Sequence, residues 1–458
     1  MSDVAPRTVS TDVRPREVDF GAFVRRAADA GELVAQPRMG FGPPGLMRAG
    51  LAATRSAAAT TVGTLTLDSY TRVGDLASAE RAVRADGGAN LNGYPIVSHP
   101  AETTAAVLAG LLNRDFPVQV RHGSAVPADI FSALVALRLT ATEGGPVSYC
   151  LPYGRTPLAE SIRNWSDCAV RFAALREFHS EPHLETFGGC MLGQLCPPGL
   201  LVALSVLEAL FFQQRGLRSL SVSYAQQTNP EQDIEAVLAL RRLCQELLSR
   251  SSWHVVIYAY MGVYPRTERG AYRLLGEAAG LALATGSERI IVKTVAESRR
   301  IPTIAENVAA LEYVARAARA RPPLRPPADD AHGGDSATYR EANALINAVR
   351  NLHRDIGTAL LLAFRRGYLD VPYCVHPDNR GRTRSALDGA GRLCWADTGA
   401  LPVPPPERRA PAGTVTSSGL LEDLFYIQRK YDACAPESGE ITASPALAER
   451  SRRLPGPR

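Results

Sequence analysis

Continuous apolar runs that alternate with helical patterns constrain the fold of this chain most strongly. Runs such as SWHVVIYAY (252–260) and ERIIVKT (288–294) are typical of strands that a parallel sheet buries on both faces. The pattern predicts strands at residues 33–36, 62–67, 94–98, 118–121, 147–151, 192–196, 220–224, 254–260 and 290–293. Eight or nine strands that alternate with helices over about 300 residues predict a (β/α)8 TIM barrel, with one strand spurious. A doubly wound open sheet is the alternative, but no GxGxxG follows an early strand.

Composition shifts divide the chain into five segments. With 45% apolar and 21% charged residues the chain is globular, which excludes a wholly disordered chain, a collagen-like repeat and a coiled-coil rod. A helical and loop-rich C-terminal extension is expected to pack on the barrel, helical from 336 to 366 and again around 420–431. The predicted segments are a polar start (1–30), the barrel (31–320), a Pro/Gly-rich linker (321–335), the extension (336–432) and a disordered tail (433–458).

Charge, cysteines and hydropathy narrow the class of protein. The 51 basic and 46 acidic residues leave a net charge of +5, too mild to indicate nucleic-acid binding. The eight cysteines form no CxxC pair and no zinc-site spacing, so we expect reduced thiols. The N-terminus lacks the apolar core of a signal peptide. The apolar run at 200–212 is too short to span a membrane, so we predict a buried helix there. We therefore expect a cytoplasmic protein without membrane contact.

Charged residues follow the predicted strands with unusual regularity. Arg38, Arg72, Arg121 and Lys293 lie at or just beyond strand ends, and Glu143 opens an EGG turn. In a (β/α)8 barrel these ends share one face, where functional residues collect. Guanidinium groups bind carboxylates in a bidentate manner, so three arginines there favour a small substrate with two carboxylates. The alternative is that each arginine only neutralises a nearby acid or covers apolar surface.

Several of these side chains allow more than one interpretation. Glu143 could take up a proton or bind an ammonium group, or it could serve only the turn. Tyr149 and Tyr153 would share one face of a strand, either lining a pocket or packing in the core. Lys293 could form a Schiff base, bind a ribose or phosphate, or pair with Glu297.

One motif is a near match that we do not assign. The stretch 330–335 (DAHGGD) comes close to the DxHxxG signature of cobalamin-binding domains, in which the histidine binds cobalt. It lies in the proline-rich linker and lacks the strand and helix that such a loop requires. No metal site is predicted.

Taken together, the motifs resemble those of the large catalytic (epsilon) subunit of adenosylcobalamin-dependent glutamate mutase, also called methylaspartate mutase. They occur in the same order along nearly the whole ordered chain, which makes the set specific although each motif alone is weak. The matching segments are AQPRMG (35–40), DSYTR (68–72), LNGYP (91–95), QVRHG (119–123), EGGPVSYCLPY (143–153), CPP (196–198), IIVKT (290–294) with Glu297, IPT (301–303), GYLDVPY (367–373) and GRLCWADTGALP (391–402).

The resemblance implies a barrel with a C-terminal extension that shares adenosylcobalamin with a separate small cobalamin-binding subunit, and so a hetero-oligomer. It implies that homolysis of the cobalt–carbon bond starts a radical reaction in which glutamate fragments to a glycyl radical and acrylate, which recombine as 3-methylaspartate. The implied roles are a grip on the two substrate carboxylates (Arg38, Arg72, Arg121), contact with the substrate amino group as its base (Glu143), lining of the substrate pocket (Tyr149, Tyr153) and contact with the adenosyl ribose (Lys293, Glu297).

The chain departs from the family pattern at three places. Pro146 and Cys150 replace a glycine and an asparagine. YAYMGVYP (258–265) stands in place of an HQWMGGFP-type stretch, and Val295 and Ala296 replace a proline and a histidine. Two further hypotheses therefore stand beside the mutase: a non-catalytic relative that serves as a binding or assembly partner, and a Schiff-base lyase that uses its strand-end lysine.

Overall fold

Eight parallel strands close into a barrel. The computed structural model describes residues 18–152, 154–178, 180–191, 195–320, 336–405 and 415–433. Hydrogen bonds link the strands in the order β1-β8-β7-β6-β5-β4-β3-β2, and a parallel bridge from Ala35 to Thr61 joins the two edges. The strands are β1 (Val34–Gln36), β2 (Gly63–Thr66), β3 (Val118–Arg121), β4 (Ala141–Glu143), β5 (His183–Glu185), β6 (Ser219–Ala225), β7 (Ser252–Tyr258) and β8 (Arg289–Ile291).

At least one helix follows every barrel strand, so the predicted (β/α)8 barrel is confirmed. Helix α1 (Phe20–Asp29) precedes the first strand. The helices that follow strands are α2 (Pro44–Ser56), α3 (Ser69–Val73), α4 (Leu76–Asp86), α5 (Ala101–Leu108), α6 (Ala128–Leu137), α7 (Leu158–Ala173), α8 (Pro198–Gln214), α9 (Pro230–Leu247), α10 (Glu268–Ala284) and α11 (Ile304–Arg319).

Two of the nine predicted strands were wrong, and a third lies mostly outside the described residues. Residues 94–98 contribute only one isolated bridge, and 147–151 form turns. The described residues of 192–196 (195 and 196) are not in a strand either. The strands that occupy these places are β4 and β5, which are only three residues long and carry polar side chains, so the apolar pattern does not reveal them.

Polar side chains fill the centre of the barrel, and an aromatic ring closes its lower end. Arg289, fully buried on β8, donates hydrogen bonds to Glu185 and to Gln36. Its guanidinium carbon lies 5.0 Å from the ring centre of Phe20 on α1, and that ring stacks on His183. Helix α1 therefore covers the end of the barrel opposite to the carboxyl ends of the strands, and the latter end is the mouth.

Helix α8 is buried along nearly its whole length because it lies between the barrel and the C-terminal extension. It corresponds to the apolar run at 200–212, and the prediction of a buried helix there is confirmed. It contacts β6 on one side and α12 (Ala337–Arg350) on the other. Among the described residues no helix combines the length and apolar character that a membrane span needs.

The extension packs on the same side of the barrel and reaches the mouth. The segment expected to be helical from 336 to 366 is two helices, α12 and α13 (Ile356–Arg366), and both pack on α8. A hairpin of β9 (Arg384–Leu387) and β10 (Leu393–Asp397) follows. The helix expected around 420–431 is likewise two, α14 (Ser417–Leu424) and α15 (Tyr426–Ala433), and α15 contacts α10. The predicted linker 321–335 with its DAHGGD motif, residues 1–17 and 434–458 lie outside the described residues.

Candidate active site

The mouth of the barrel holds most of the side chains that the sequence singled out. Arg121 is the last residue of β3 and Glu143 the last of β4, so their side chains leave the sheet side by side. Arg72 follows β2 on helix α3, and Arg38 and Lys293 each lie two residues beyond a strand. Parallel strands end at one face of a barrel, which is why residues far apart in sequence meet here.

Arg121 and Glu143 form a buried ion pair. Arg121 Nε donates to Glu143 Oε2 at 2.7 Å, and the two side chains are 4% and 1% exposed. The hydroxyl of Tyr258 donates to the same oxygen at 2.8 Å, and the hydroxyl of Tyr149 donates to Oε1. Without substrate, the carboxylate is thus held by one guanidinium and two hydroxyl groups, as a buried charge must be.

Two arginine nitrogens at this site have no hydrogen-bond partner in the part of the chain that the structure describes. They are Arg121 Nη1 and Arg72 Nε, and both are buried. Arg72 lies against Gly123: a Cβ there would be 3.4 Å from Arg72 Cδ, about van der Waals distance. A buried donor without a partner costs about 1–3 kcal/mol, so an anion that accepts from either nitrogen would be stabilised.

His122 lies behind the two arginines as a neutral ring. It stacks on Trp165 with 5.6 Å between ring centres and meets Tyr149 edge-on at 5.2 Å. Burial, together with the charges of Arg72 and Arg121, lowers the pKa of His122 to about 3. It is therefore a packing group that carries no charge at neutral pH.

A second ion-pair cluster lies beside the first. Glu297 lies 3.7 Å from Arg38 and 3.9 Å from the ammonium of Lys293, measured between the charged atoms. Lys293 Nζ also lies 5.3 Å from the ring centre of Tyr264. Burial lowers the pKa of Lys293 to about 8, although Glu297 partly opposes it. Arg38 thus pairs with Glu297. Its side chain is 34% exposed, so it remains partly accessible from the mouth.

Tyr149 lies in a turn, whereas a strand was expected at 147–151. The turn that carries Tyr149 packs closely because Gly144 has a φ of +126°, a conformation that favours glycine. A Cβ at Gly144 would lie 2.6 Å from ring atoms of both Trp165 and Tyr149. Tyr153, the other predicted pocket tyrosine, lies outside the described residues.

Glu208 on α8 fixes this turn from behind. It accepts hydrogen bonds from the backbone nitrogens of Val147 (3.2 Å) and Ser148 (2.9 Å) and from the Ser148 hydroxyl (2.9 Å). Burial raises its pKa to about 7. The sequence offered a signal, since one glutamate inside an otherwise apolar helix needs a buried partner.

Sequence reasoning also missed a buried hydrogen-bond network beneath the ion pair. Glu185 on β5 accepts from Arg289, and Ser221 donates to it at 3.3 Å. Its other carboxylate oxygen contacts the Tyr258 hydroxyl, whose single proton it shares with Glu143. Charged residues inside strands were the available signal, because a barrel interior can pair them across neighbouring strands. Among the described residues no group of three or more His, Cys, Asp or Glu side chains could hold a metal ion.

Comparison with known proteins identifies the family. A family model described as methylaspartate mutase E chain matches residues 14–419. The chain belongs to this family. Relatives of this chain include the glutamate mutase epsilon subunit of Yersinia enterocolitica, which is 29% identical over 351 residues that cover 74% of this chain and 72% of that one. The epsilon subunit of Haloarcula marismortui is 31% identical over 338 residues, covering 72% and 68%.

Solved structures add little to the methylaspartate mutase assignment. Tryptophan synthase from Mycobacterium tuberculosis matches with a TM-score of 0.28 and 13% identity, covering 66% of this chain and 99% of that one. A likeness at that level supports no inference. The family membership therefore rests on the sequence comparisons, and the barrel on the coordinates.

Proposed function

We propose that this chain is the catalytic subunit of a mutase that interconverts L-glutamate and 3-methylaspartate by an adenosylcobalamin radical reaction. The observation that carries the proposal is the pair of buried, unpartnered guanidinium nitrogens of Arg121 and Arg72 beside Glu143. Family membership supports the reaction class, because the relatives are mutase epsilon subunits.

Substrate recognition follows from charge and hydrogen-bond capacity. The open nitrogens of Arg121 and Arg72 suit one carboxylate, and the partly exposed Arg38 suits the second. The ammonium group is then attracted to Glu143, whose carboxylate has lone pairs beyond the three hydrogen bonds it accepts. An amino dicarboxylate thus satisfies every charged group that the site leaves open.

Lys293 and Glu297 fit the ribose of the coenzyme. A ribose diol donates and accepts hydrogen bonds, and these two side chains offer a donor and an acceptor 3.9 Å apart at the mouth. When bound, adenosylcobalamin supplies the radical that takes a hydrogen atom from the substrate. The chain's own residues hold the substrate carboxylates, receive the ammonium proton on Glu143 and exclude water around the buried ion pair.

Exposed apolar side chains around the mouth support a partner subunit there. Val73 ends helix α3 and is 74% exposed, Ile301 follows β8 and is 53% exposed, and Val126 follows β3 and is 38% exposed. Apolar groups that surround a functional site are typical of a docking surface. We propose that the small cobalamin-binding subunit covers this rim, and that the hetero-oligomer is cytoplasmic.

The test is reconstitution. The purified chain is mixed with a cobalamin-binding small subunit of a glutamate mutase, adenosylcobalamin and L-glutamate, and 3-methylaspartate is measured by chromatography. We expect product that depends on both proteins and on the coenzyme. Failure to form product while the coenzyme is demonstrably bound would contradict the proposal and favour a non-catalytic binding partner.

The lowered pKa of Lys293 gives a specific reason to test the Schiff-base alternative as well. Borohydride is added to the chain with a range of carbonyl substrates, and peptide mass spectrometry locates any modified lysine. Trapping at Lys293 would support a lyase. We expect none, because Glu143 and the three arginines (Arg38, Arg72 and Arg121) have no role in imine chemistry.

A further inference from the structure

Helix α15 of the extension closes a small apolar cluster beside the mouth. Ile427 and Tyr431 of α15 are buried, and they pack with Tyr260 and Tyr264 from the loop after β7. Val295, in the loop after β8, packs against the same residues. We call this group the tyrosine cluster, and its other members are Ala271, Leu274 and Tyr426. The cluster is separate from the main core around the barrel, so its burial depends on α15.

Hydrogen bonds connect α15 to the same two loops. Gln428 donates to the backbone oxygen of Tyr264 at 2.9 Å. Asp432 accepts from the backbone nitrogen of Arg266 at 3.0 Å, just before α10 begins. The backbone oxygen of Arg266 in turn accepts a hydrogen bond of 2.9 Å from Arg299, which lies in the loop after β8. Polar contacts as well as packing therefore join α15 to both loops.

The loop after β8 carries the two side chains that fit the coenzyme ribose. Val295 lies midway between Lys293 and Glu297, and it packs against the tyrosine cluster. Lys293 Nζ lies 5.3 Å from the ring centre of Tyr264, another member of the cluster. Lys293 and Glu297 therefore stand beside a surface that α15 completes.

Several departures from the family pattern meet in this cluster. Tyr260, Tyr264 and Val295 stand where the pattern has a tryptophan, a phenylalanine and a proline. A proline restricts its own backbone, whereas a valine leaves the chain more conformations to lose on folding. The conformation of the loop after β8 therefore depends more strongly on the side chains that pack against Val295.

We propose that α15 positions the coenzyme half of the site, and that Ile427 and Gln428 are its positioning residues. They hold Tyr264 and the loop around Val295, and through them Lys293. The proposal rests on the proposed function, because contact between Lys293 and the ribose belongs to that function. A misplacement of about 1 Å in a binding group can cost about 100-fold, so a helix far along the chain can set the affinity for the coenzyme.

The test compares Ile427→Ala and Gln428→Ala with the wild-type chain. Ile427→Ala leaves a cavity in the tyrosine cluster, and Gln428→Ala removes a hydrogen bond to the loop after β7. Ile427→Val is the conservative variant. Leu360→Ala is the matched control, because Leu360 is a buried residue of α13 that belongs to the main core, so its truncation weakens the extension outside the cluster. Circular dichroism confirms folding of each variant.

The first measurement needs no coenzyme. Lys293 is acylated in the chain alone at a series of pH values, and peptide mass spectrometry gives the midpoint. The charged or titratable groups that face its ammonium are Glu297, Arg38 and Tyr264. Burial is the strongest influence on the pKa of Lys293 and lowers it to about 8, so a loop that opens to water should raise the midpoint.

We expect the midpoint to rise by about one pH unit in Ile427→Ala and by less in Gln428→Ala. Ile427→Val and Leu360→Ala should keep the wild-type midpoint, since the first largely preserves the cluster and the second lies outside it.

The second measurement separates the coenzyme half of the site from the substrate half. In the reconstituted complex, KM for adenosylcobalamin should rise about 10-fold in Ile427→Ala, and Ile427→Val should restore most of the affinity. KM for L-glutamate should stay at the wild-type value, because Arg121 and Glu143 are held by β3 and β4. Leu360→Ala should change neither KM.

A folded Ile427→Ala variant with the wild-type midpoint, or with the wild-type KM for adenosylcobalamin, would overturn the positioning role. Equal changes in Leu360→Ala would overturn it as well, because lost stability alone would then explain them. If the wild-type complex forms no product, the proposed function fails and the role toward the coenzyme fails with it. The acylation midpoints still decide whether α15 positions Lys293, so the two failures are distinguishable.

Discussion

Replacing Glu208 by glutamine should abolish a loss of stability that the wild-type chain suffers as the pH rises. Glu208 is fully buried and accepts three hydrogen bonds from Val147 and Ser148. The groups that oppose the effect of burial on its carboxylate are the neutral donors of Ser148, Val147 and Phe187. Its charge is therefore offset by neutral donors alone, which compensate desolvation only in part.

The magnitude follows from the pKa of this carboxyl group. Burial raises it from 4.5 to about 7, which corresponds to about 3 kcal/mol. Between these values the folded chain binds a proton that the unfolded chain has released, so the free energy of unfolding falls as the pH rises. The stabilising contribution of Glu208 to the free energy of unfolding is complete below about pH 4.5 and lost above about pH 7. Glutamine keeps the shape and one acceptor oxygen without a charge.

We expect the free energy of unfolding of Glu208→Gln to exceed that of the wild type by about 3 kcal/mol above neutral pH and to equal it under acid conditions. Urea unfolding followed by circular dichroism at a series of pH values measures this difference. Asp233→Asn is a second case of the same effect: burial raises the pKa of Asp233 to about 7 too, so this variant should also gain stability over the wild type above neutral pH. Parallel stability curves for wild type and Glu208→Gln would refute the reasoning.

Three further predictions concern the mouth of the barrel. Arg121→Met leaves the buried carboxylate of Glu143 unpaired, so the free energy of unfolding should fall by about 3–5 kcal/mol. Calorimetry should detect no glutamate binding, and retained binding would contradict the role of Arg121 in holding a substrate carboxylate. Acylation of Lys293 is measured at increasing pH by peptide mass spectrometry, and its midpoint should lie near pH 8. Glu297→Gln should lower this midpoint, because the carboxylate of Glu297 favours the ammonium form of Lys293, and an unmoved midpoint would contradict the pairing. Gly145→Ala should cost about 1–3 kcal/mol in urea unfolding, because its Cβ would overlap the carboxylate of Glu208, and wild-type stability would contradict this packing.

The barrel could be predicted from sequence because its strand patterns alternate with long helical patterns. Strand β3 matches its predicted bounds, and β6 and β7 differ from theirs by at most two residues. Strands β4 and β5 could not be predicted, because both are short and polar. In sequence, Thr142 and Glu143 of β4 and His183 and Glu185 of β5 are typical of turns, and only the barrel interior provides their partners. The apolar run at 147–151 packs as turns against neighbouring helices instead.

The site could be predicted in its location but not in its pairings. Charged residues after parallel strands must share one face, and this places Arg121 beside Glu143. Sequence spacing does not tell which acid each arginine contacts, and the structure pairs Arg38 with Glu297. Tyr258 was part of an apolar strand pattern, so its hydroxyl between two carboxylates emerged only when β4, β5 and β7 were placed around one centre.

Electron paramagnetic resonance tests the central claim most directly, because it detects the radical reaction before any product leaves. The chain is combined with the small cobalamin-binding subunit and adenosylcobalamin, and L-glutamate is then added. We predict a cobalt(II)-coupled radical signal that requires glutamate and is lost in Arg121→Met. A wild-type complex with bound coenzyme that gives no signal on addition of glutamate would contradict the assignment of this barrel as a glutamate-converting mutase subunit.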